Sequence, residues 1–242
     1  MSENNALPLF YTKPVALNSE IHKKATIAPS PGKLAFAAGT HSVILAGVEF
    51  AEACREFPII FTSADNGRII PVALLGIKAN ENLFVNEAGE WRGNYIPAYI
   101  RRYPFINTED DNQQLVVCVD EAYDGFNAPG GEPLFENNEP SPFLKNAMAL
   151  LEDYYGQMKQ TEAFGQHLNK LDLFKPLDAN INLNDGRNFN LTGLLVVDEQ
   201  KLQQLKKNVV DALFRSGGLA LVYAHLLSLG NLTRLMAMKA GQ

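Results

Sequence analysis

The spacing of apolar residues changes near residue 140, and the change divides the chain into a part that reads as strands and a part that reads as helices. From Val43 to Phe57 apolar and small residues dominate, with Phe50, Ala51, Cys54 and Phe57 at helical spacing. Pro58 lacks an amide hydrogen and stops that helix. Ile59–Thr62 then reads as a buried strand and Ile69–Ile77 as a second, with the turn Asp65-Asn66-Gly67 between them. Pro71 cannot donate to a ladder, which confines the start of the second strand to an edge or a strand end. Leu83–Val85 and Glu90–Trp91 flank the hairpin turn Asn86-Glu87-Ala88-Gly89, and Leu115–Val119 completes the strand set. Residues 1–32, punctuated by Pro8, Pro14, Pro29 and Pro31, read as an extended arm with one short strand. The segment Asp124–Pro142, rich in Gly, Asn and Pro, reads as a loop or linker.

After that loop the period becomes helical. Ser141 is a good N-cap and Pro142 suits the first helical position. Leu144, Ala147, Met148, Leu151, Tyr155 and Met158 form a stripe at steps of three and four, which predicts a helix to about Gly165. Leu168, Leu171 and Phe174 continue a related pattern. Ile181 and Leu183 alternate with polar neighbours, Asp185-Gly186 marks a hairpin turn of the primed type, and Phe189–Val197 is the returning strand. Asp198 caps a helix over Glu199–Phe214, Ser216-Gly217-Gly218 breaks it, and Leu219–Leu229 is a final apolar helix with Gly230 at its C-cap. These elements predict an α+β fold: a mainly antiparallel sheet with a helical C-terminal half packed on it. We read one domain over 1–242, with 1–140 β-rich and 141–242 helix-rich around a hairpin near 180–197. That hairpin extends or caps the sheet, and the last helix, apolar on several faces, is core or a homodimer contact.

The composition is that of a globular chain, 46% hydrophobic and 20% charged. A net charge of −6 disfavours nucleic acid and anionic membrane, both of which need basic patches. The charge is unevenly placed. Nine acidic residues (Glu109, Asp110, Asp111, Asp120, Glu121, Asp124, Glu132, Glu136 and Glu139) lie between Tyr103 and Leu144 with no Lys or Arg among them, leaving the remainder with net +3. That run reads as a solvated acidic face, or as a docking surface for a basic partner. Cys54 and Cys118 read as small core residues of a reducing compartment. Met1–Lys24 holds no secretory apolar core, and Leu219–Leu229 is too short to cross a bilayer. The expectation is a cytoplasmic protein with no membrane span.

Phosphate loops, the GxGxxG fingerprint, HExxH, the GxSxG elbow and zinc-type Cys/His pairs are absent. His22, His41, His167 and His225 form no local metal pair. His41, beside Thr40 and Ser42, is a catalytic base or a loop histidine; His225, on an apolar helix, reads as a hydrogen-bonded core or interface histidine rather than a ligand. Asp120–Gly131 imitates a calcium loop at its first, fifth and sixth positions, but lacks the acid at the third and the Glu at the twelfth. It reads as an acidic turn. No cofactor and no metal are expected.

The densest chemistry is Trp91–Phe105, WRGNYIPAYIRRYPF, which gathers the only Trp with three Tyr and three Arg. Aromatic and guanidinium groups anchor interfaces through large rigid area and planar bidentate donors. Trp91, Tyr95, Tyr99, Arg101, Arg102 and Tyr103 are therefore the candidate partner- or ligand-binding residues. Structural scaffolding, or pairing of Arg101 and Arg102 with the acidic run that follows, is the alternative reading.

The sequence resembles the SapC family in four ordered blocks: Glu49-Phe50 with FPIIF at 57–61, YIPAYIRRYPF at 95–105, GLLVVDEQKL at 193–202 and LALVYAHLLSLGNLTRL at 219–235. The resemblance implies a role in surface-layer (S-layer) biogenesis or function in bacteria, and a wider accessory role beside outer-membrane receptor and halogenase-like genes. It carries over no catalytic residue. The antimicrobial-peptide permease of the same name is a different protein. The leading expectation is a non-enzymatic accessory protein that binds a protein or peptide partner in surface-layer or outer-membrane-receptor-linked processes. An enzyme of unmarked type acting on a peptide or small metabolite is the alternative, and a calcium- or sugar-binding module a third reading.

Overall fold

In the computed structural model, residues 7–30, 33–64, 67–109, 114–182 and 188–241 are described. The elements in chain order are β1 (Pro14–Ala16), β2 (Thr26–Ile27), β3 (Ser42–Ile44), α1 (Phe50–Ala53), β4 (Ile59–Ser63), β5 (Ile69–Leu74), α2 (Ala98–Arg101), β6 (Phe105–Glu109) and β7 (Leu115–Asp120). They continue with β8 (Glu132–Pro133), β9 (Phe135–Glu136), β10 (Glu139–Pro140), α3 (Pro142–Lys170), β11 (Phe174–Asn182), β12 (Asn188–Val197), α4 (Glu199–Gln203), α5 (Lys207–Arg215), α6 (Gly218–Ser228) and α7 (Asn231–Ala240). A five-stranded sheet has the order β11-β12-β4-β5-β3 and a three-stranded sheet the order β1-β7-β6, with every pairing antiparallel. The fold is α+β, with the longer helices after residue 140.

The principal sheet is completed by the C-terminal hairpin, since β12 pairs with β4 through Leu194↔Thr62 and Leu195↔Phe61. The pairing of β11 with β12 bears out the predicted hairpin, although β11 begins at Phe174, earlier than the sequence suggested. Pro71 behaves as expected of a residue without an amide hydrogen. Its carbonyl accepts from Leu45 N on the β3 side, and the β3 ladder ends there because Pro71 cannot return the bond. The turns at Asp65-Asn66 and Asp185-Gly186, Leu183, and the acids Asp110 and Asp111, lie outside the described residues. The hairpin at residues 86–89 is present: Val85 bridges Trp91, and Gly89 takes φ +72°.

Four expectations are corrected. The helix expected between Val43 and Phe57 shrinks to α1, because residues 42–44 are taken by β3 pairing. The Asp124–Pro142 loop holds three short strands, and β9 and β10 turn through Asn137 and Asn138, both at positive φ. Two consecutive asparagines are a recognised route into such a turn. The helix expected over Glu199–Phe214 divides after Gln203, where Lys206 leaves helical geometry (ψ 146°) without any Gly or Pro to mark it. The helix expected over Leu219–Leu229 stops where predicted, as α6, but it is not the final one: Gly230 is right-handed (φ −58°, ψ −25°) and leads straight into α7.

Capping follows sequence closely. Ser141 Oγ accepts from Leu144 N at 3.1 Å and Asp198 Oδ1 from Gln200 N at 3.0 Å, as their residue types require. At 29 residues, α3 is about 43 Å long and serves two cores. Leu144 and Leu151 pack with Phe105, Val119 and Leu134; Tyr154 and Leu168 belong to the larger core around Phe50, Phe57, Phe61 and Phe84. The helix reaches β5 at Gly165, where a Cβ would lie 2.3 Å from the Ile69 carbonyl oxygen. Phe61 sits at the centre of the larger core, its ring 4.9 Å from Phe174 and 5.1 Å from the His225 imidazole.

His225 is fully buried, as its apolar surroundings predicted. Its Nδ1 donates to Ile59 O at 2.8 Å and its Nε2 accepts from Val197 N at 3.0 Å. Burial lowers its pKa to about 4, so the ring is neutral near pH 7. Joined to α7, the last apolar stretch runs over the 23 residues Gly218–Ala240, long and apolar enough by length and composition to cross a membrane. Here it folds as two helices whose inner face, with Val222, His225, Ser228 and Leu235, is buried, while Tyr223 and Leu227 are exposed.

Candidate functional site

The segment 91–105 is a strap fastened by buried carboxylates. Glu49 Oε1 accepts from the Tyr95 hydroxyl and from Ala98 N, both at 2.7 Å, and its Oε2 accepts from Ala46 N at 2.8 Å. Glu56 accepts from Asn94 N with both oxygens. Asp120, fully buried, accepts from Thr12 N, Lys13 N, Ala122 N and the Tyr103 hydroxyl. A buried carboxylate that collects several N–H donors is desolvated at bearable cost because each oxygen lone pair is matched. Sequence reading missed these acids, although Glu49, set among Gly47, Val48 and Phe50, stood in an apolar run where an acid needs a partner.

The six candidate residues divide in two. Trp91 stacks on Phe84 at 5.5 Å and donates its indole N–H to the Tyr95 carbonyl at 2.8 Å. Tyr95 is half-buried on Glu49, and Tyr99 is buried. Tyr103 lies among Phe36, Tyr11 and Tyr123 rings at 4.4, 5.2 and 5.3 Å. The polar atoms of Trp91, Tyr95 and Tyr103 are thus engaged within the chain. The two arginines lie between exposed and half-buried positions, and neither meets a carboxylate among the described residues. Arg101 is exposed, donates Nε–H to the Ile96 carbonyl at 2.9 Å and lies 5.9 Å from the Tyr95 ring centre. Arg102 is half-buried, with its guanidinium carbon 4.1 Å from the Tyr99 ring centre, 5.0 Å from that of Tyr154 and 6.0 Å from that of Tyr11.

Among the described residues no carboxylate forms an ion pair with Arg101 or Arg102. None of the described acids of the following run pairs with them. Asp120 is consumed by backbone amides, and Glu121 by Lys13 at 2.6 Å and His22 at 3.5 Å. The hydroxyls around Arg102 do not compensate it either. Burial pushes the Tyr11 and Tyr154 pKa values well up, against the lowering pull of Arg102, so both phenols stay neutral. Cation–π attraction from three ring faces holds the guanidinium, worth roughly 0.5–2 kcal/mol per contact, but supplies no counter-charge. Arg102 Nε is buried without a hydrogen-bond acceptor.

Two cavities share Arg102 as a wall. A cleft of about 580 Å³ is bounded by Arg101, Arg102, Tyr103 and Phe105 on one side and Phe143 and Ala147 of α3 on the other. A smaller cavity of 310 Å³ lies between Tyr99, Arg102 and Asn107 and the α3 residues Leu151, Tyr154 and Met158. Trp91 and Tyr95 line neither. Tyr11, Tyr154 and Asn107, which complete the surroundings of Arg102, carried no local sequence signal, since they come from distant parts of the chain. His41 is exposed and lines a separate 260 Å³ cavity with Ser42 and Lys78. Among the described residues no group of three or more His, Cys, Asp or Glu is placed to hold a metal. The calcium-like stretch is explained by Asp120 turning inward. Cys118 is buried and free, as expected, whereas Cys54, also free, is only half-buried.

Comparison with known proteins gives one match, to the SapC family model over residues 17–235. No curated protein and no solved structure matches the chain.

Proposed function

The chain belongs to the SapC family, and from that premise we propose that it is a non-enzymatic accessory protein that holds a protein or peptide partner at the Arg101–Phe105 cleft. One observation carries the reading: two adjacent guanidinium groups border a 580 Å³ cleft and no carboxylate of the described chain pairs with them. A guanidinium that ring faces hold but no carboxylate neutralises, beside an apolar cleft, is placed to take an anionic group of a ligand. The cleft has the size of a ligand site and the usual mixture of apolar wall and a few polar groups. A partner segment joining an acidic group to apolar side chains matches it. The family resemblance supports placing this binding in surface-layer or outer-membrane-receptor-linked processes, and we place the protein in the cytoplasm as a helper of them. Catalysis finds less support, because His41 and Arg101 line different cavities.

The test is photo-crosslinking in the native cell from a probe amino acid at Ala147, with Arg101→Ala and Arg102→Ala introduced singly and together. The expected result is one crosslinked partner that is lost in the arginine variants while their thermal unfolding stays cooperative. Undiminished crosslinking to the same partner in a folded double variant would overturn the proposal.

A further inference from the structure

The smaller cavity next to Arg102 has a composition that names a ligand. Its polar groups include one donor and one acceptor left unmatched: Arg102 Nε and Asn107 Oδ1 are both buried with no hydrogen-bond partner. An unmatched buried donor or acceptor is costly, and two on residues that line one cavity point to an occupant that matches both. The remaining walls are apolar or aromatic: Ile44, Ile106, Leu151, Tyr154 and Met158. We propose that this 310 Å³ cavity binds the terminal residue of a peptide, with Arg102 taking the free carboxylate, Asn107 Oδ1 accepting the N–H of that residue, and the apolar wall taking its side chain. The proposal rests on the reading of the Arg101–Arg102 region as a binding site and names what that site recognises.

Charge selects the carboxylate. One guanidinium balances one negative charge, and its planar donors match a carboxylate in bidentate fashion. A phosphate dianion would leave one charge uncompensated among apolar walls. The acceptor selects the rest of the ligand. An N-acylated amino acid carries an N–H donor one carbon from its carboxylate and a side chain on that same carbon, so the three features required by the cavity arise in a single residue. The volume is at the small end for ligand cavities and suits one apolar residue. Apolar N-acyl amino acids that are not part of a peptide share this chemistry, and the experiment separates the two sources.

Calorimetric titration of the full chain would use three probes: a tetrapeptide ending in leucine with a free carboxylate, the same peptide amidated at its C terminus, and N-acetyl-leucine. The free-acid peptide is expected to bind, with the amidated form weaker by at least roughly tenfold, the scale of one lost charge-assisted bond. Peptide binding without N-acetyl-leucine binding assigns a chain terminus; comparable binding of both assigns small acylated amino acids as well. Arg102→Lys, which keeps charge but not the fork, and Asn107→Asp, which keeps shape but repels a carboxylate, should each weaken the free-acid peptide by a similar factor. Unfolding curves of both variants check that they fold. Equal affinity for acid and amide, or no binding of either by wild type, would overturn the proposal. In that event crosslinking at Ala147 that still depends on the arginines would leave the larger cleft as the binding site, so the two readings fail separately.

Discussion

Ile59 and Val197 face one another across the junction of β4 and β12, and the ladder between them is closed by an imidazole. The register Leu194↔Thr62 and Leu195↔Phe61 places them opposite each other two residues further along. At that point Val197 N donates to His225 Nε2 at 3.0 Å, and His225 Nδ1 donates to Ile59 O at 2.8 Å. Three residues on, Ser228 Oγ accepts from Ile59 N at 2.9 Å. One face of α6 therefore satisfies backbone groups that sheet pairing leaves open.

This arrangement makes stability depend on acid. The unfolded chain, with an ordinary histidine near 6.5, takes up a proton that the folded chain refuses until about pH 4. The His225 contribution is complete above pH 6.5 and is lost as pH falls towards 4, at about 1.4 kcal/mol per pH unit and roughly 3 kcal/mol in all. Urea unfolding at pH 7, 6, 5 and 4 should show that slope. In His225→Gln the slope across this window should shrink, while stability at pH 7 drops because a flexible amide cannot hold the same two groups rigidly.

Gly165→Ala pits two effects against each other. Alanine favours a helix interior over glycine by about 1 kcal/mol. Its Cβ would fall 2.3 Å from the Ile69 carbonyl oxygen, which is backbone and cannot swing away. Overpacking of this kind costs roughly 1–3 kcal/mol, so the clash wins and the melting temperature should fall. A rise in melting temperature would mean that α3 slides freely over β5.

Lys239 of α7 and Glu81 form a buried ion pair, 6% and 8% exposed. Removing one partner withdraws a buried counter-charge from the other; Glu81 keeps only the exposed Lys78, 3.7 Å away. Lys239→Met and Glu81→Leu are each expected to cost about 3 kcal/mol or more, whereas the double variant should cost less than their sum. A double-mutant cycle in urea measures this, and strict additivity would dissolve the coupling.

Glu49→Gln tests the fastening of the strap. The amide replaces one acceptor oxygen by a donor, which must face Ala46 N or the group made by Ala98 N and Tyr95. The expected loss is about 2 kcal/mol. Burial first, and then the Glu49 charge, raises the Tyr95 pKa, so Tyr95 should titrate nearer its ordinary value in the variant. Trp91, the only tryptophan, bonds to the Tyr95 carbonyl and should shift its emission to longer wavelength as the strap loosens.

The Arg102 surroundings show where sequence reading ends. The local pattern picked out Tyr99, Arg101 and Arg102 because aromatic and guanidinium groups stand together there in the chain. It could not find Tyr11 or Tyr154, which meet Arg102 only when the N-terminal arm and α3 close over α2. Nor could it tell that Asp120 would spend its charge on the Thr12 and Lys13 amides and leave both arginines without an ion pair among the described residues.

What residue types determine within a few positions was legible from the sequence alone: the caps at Ser141 and Asp198, the one-sided pairing of β5 at Pro71, the period of α3, and the buried character of His225. Each depends on a missing hydrogen, a short polar side chain or a repeat that the backbone turns into one face. Tertiary structure alone decided that β12 lies beside β4, that the helix after Asp198 breaks without Gly or Pro, and that Arg102 is surrounded by neutral phenols. Those outcomes are set by competition among distant groups for the same partners, and no local stretch of sequence contains both competitors.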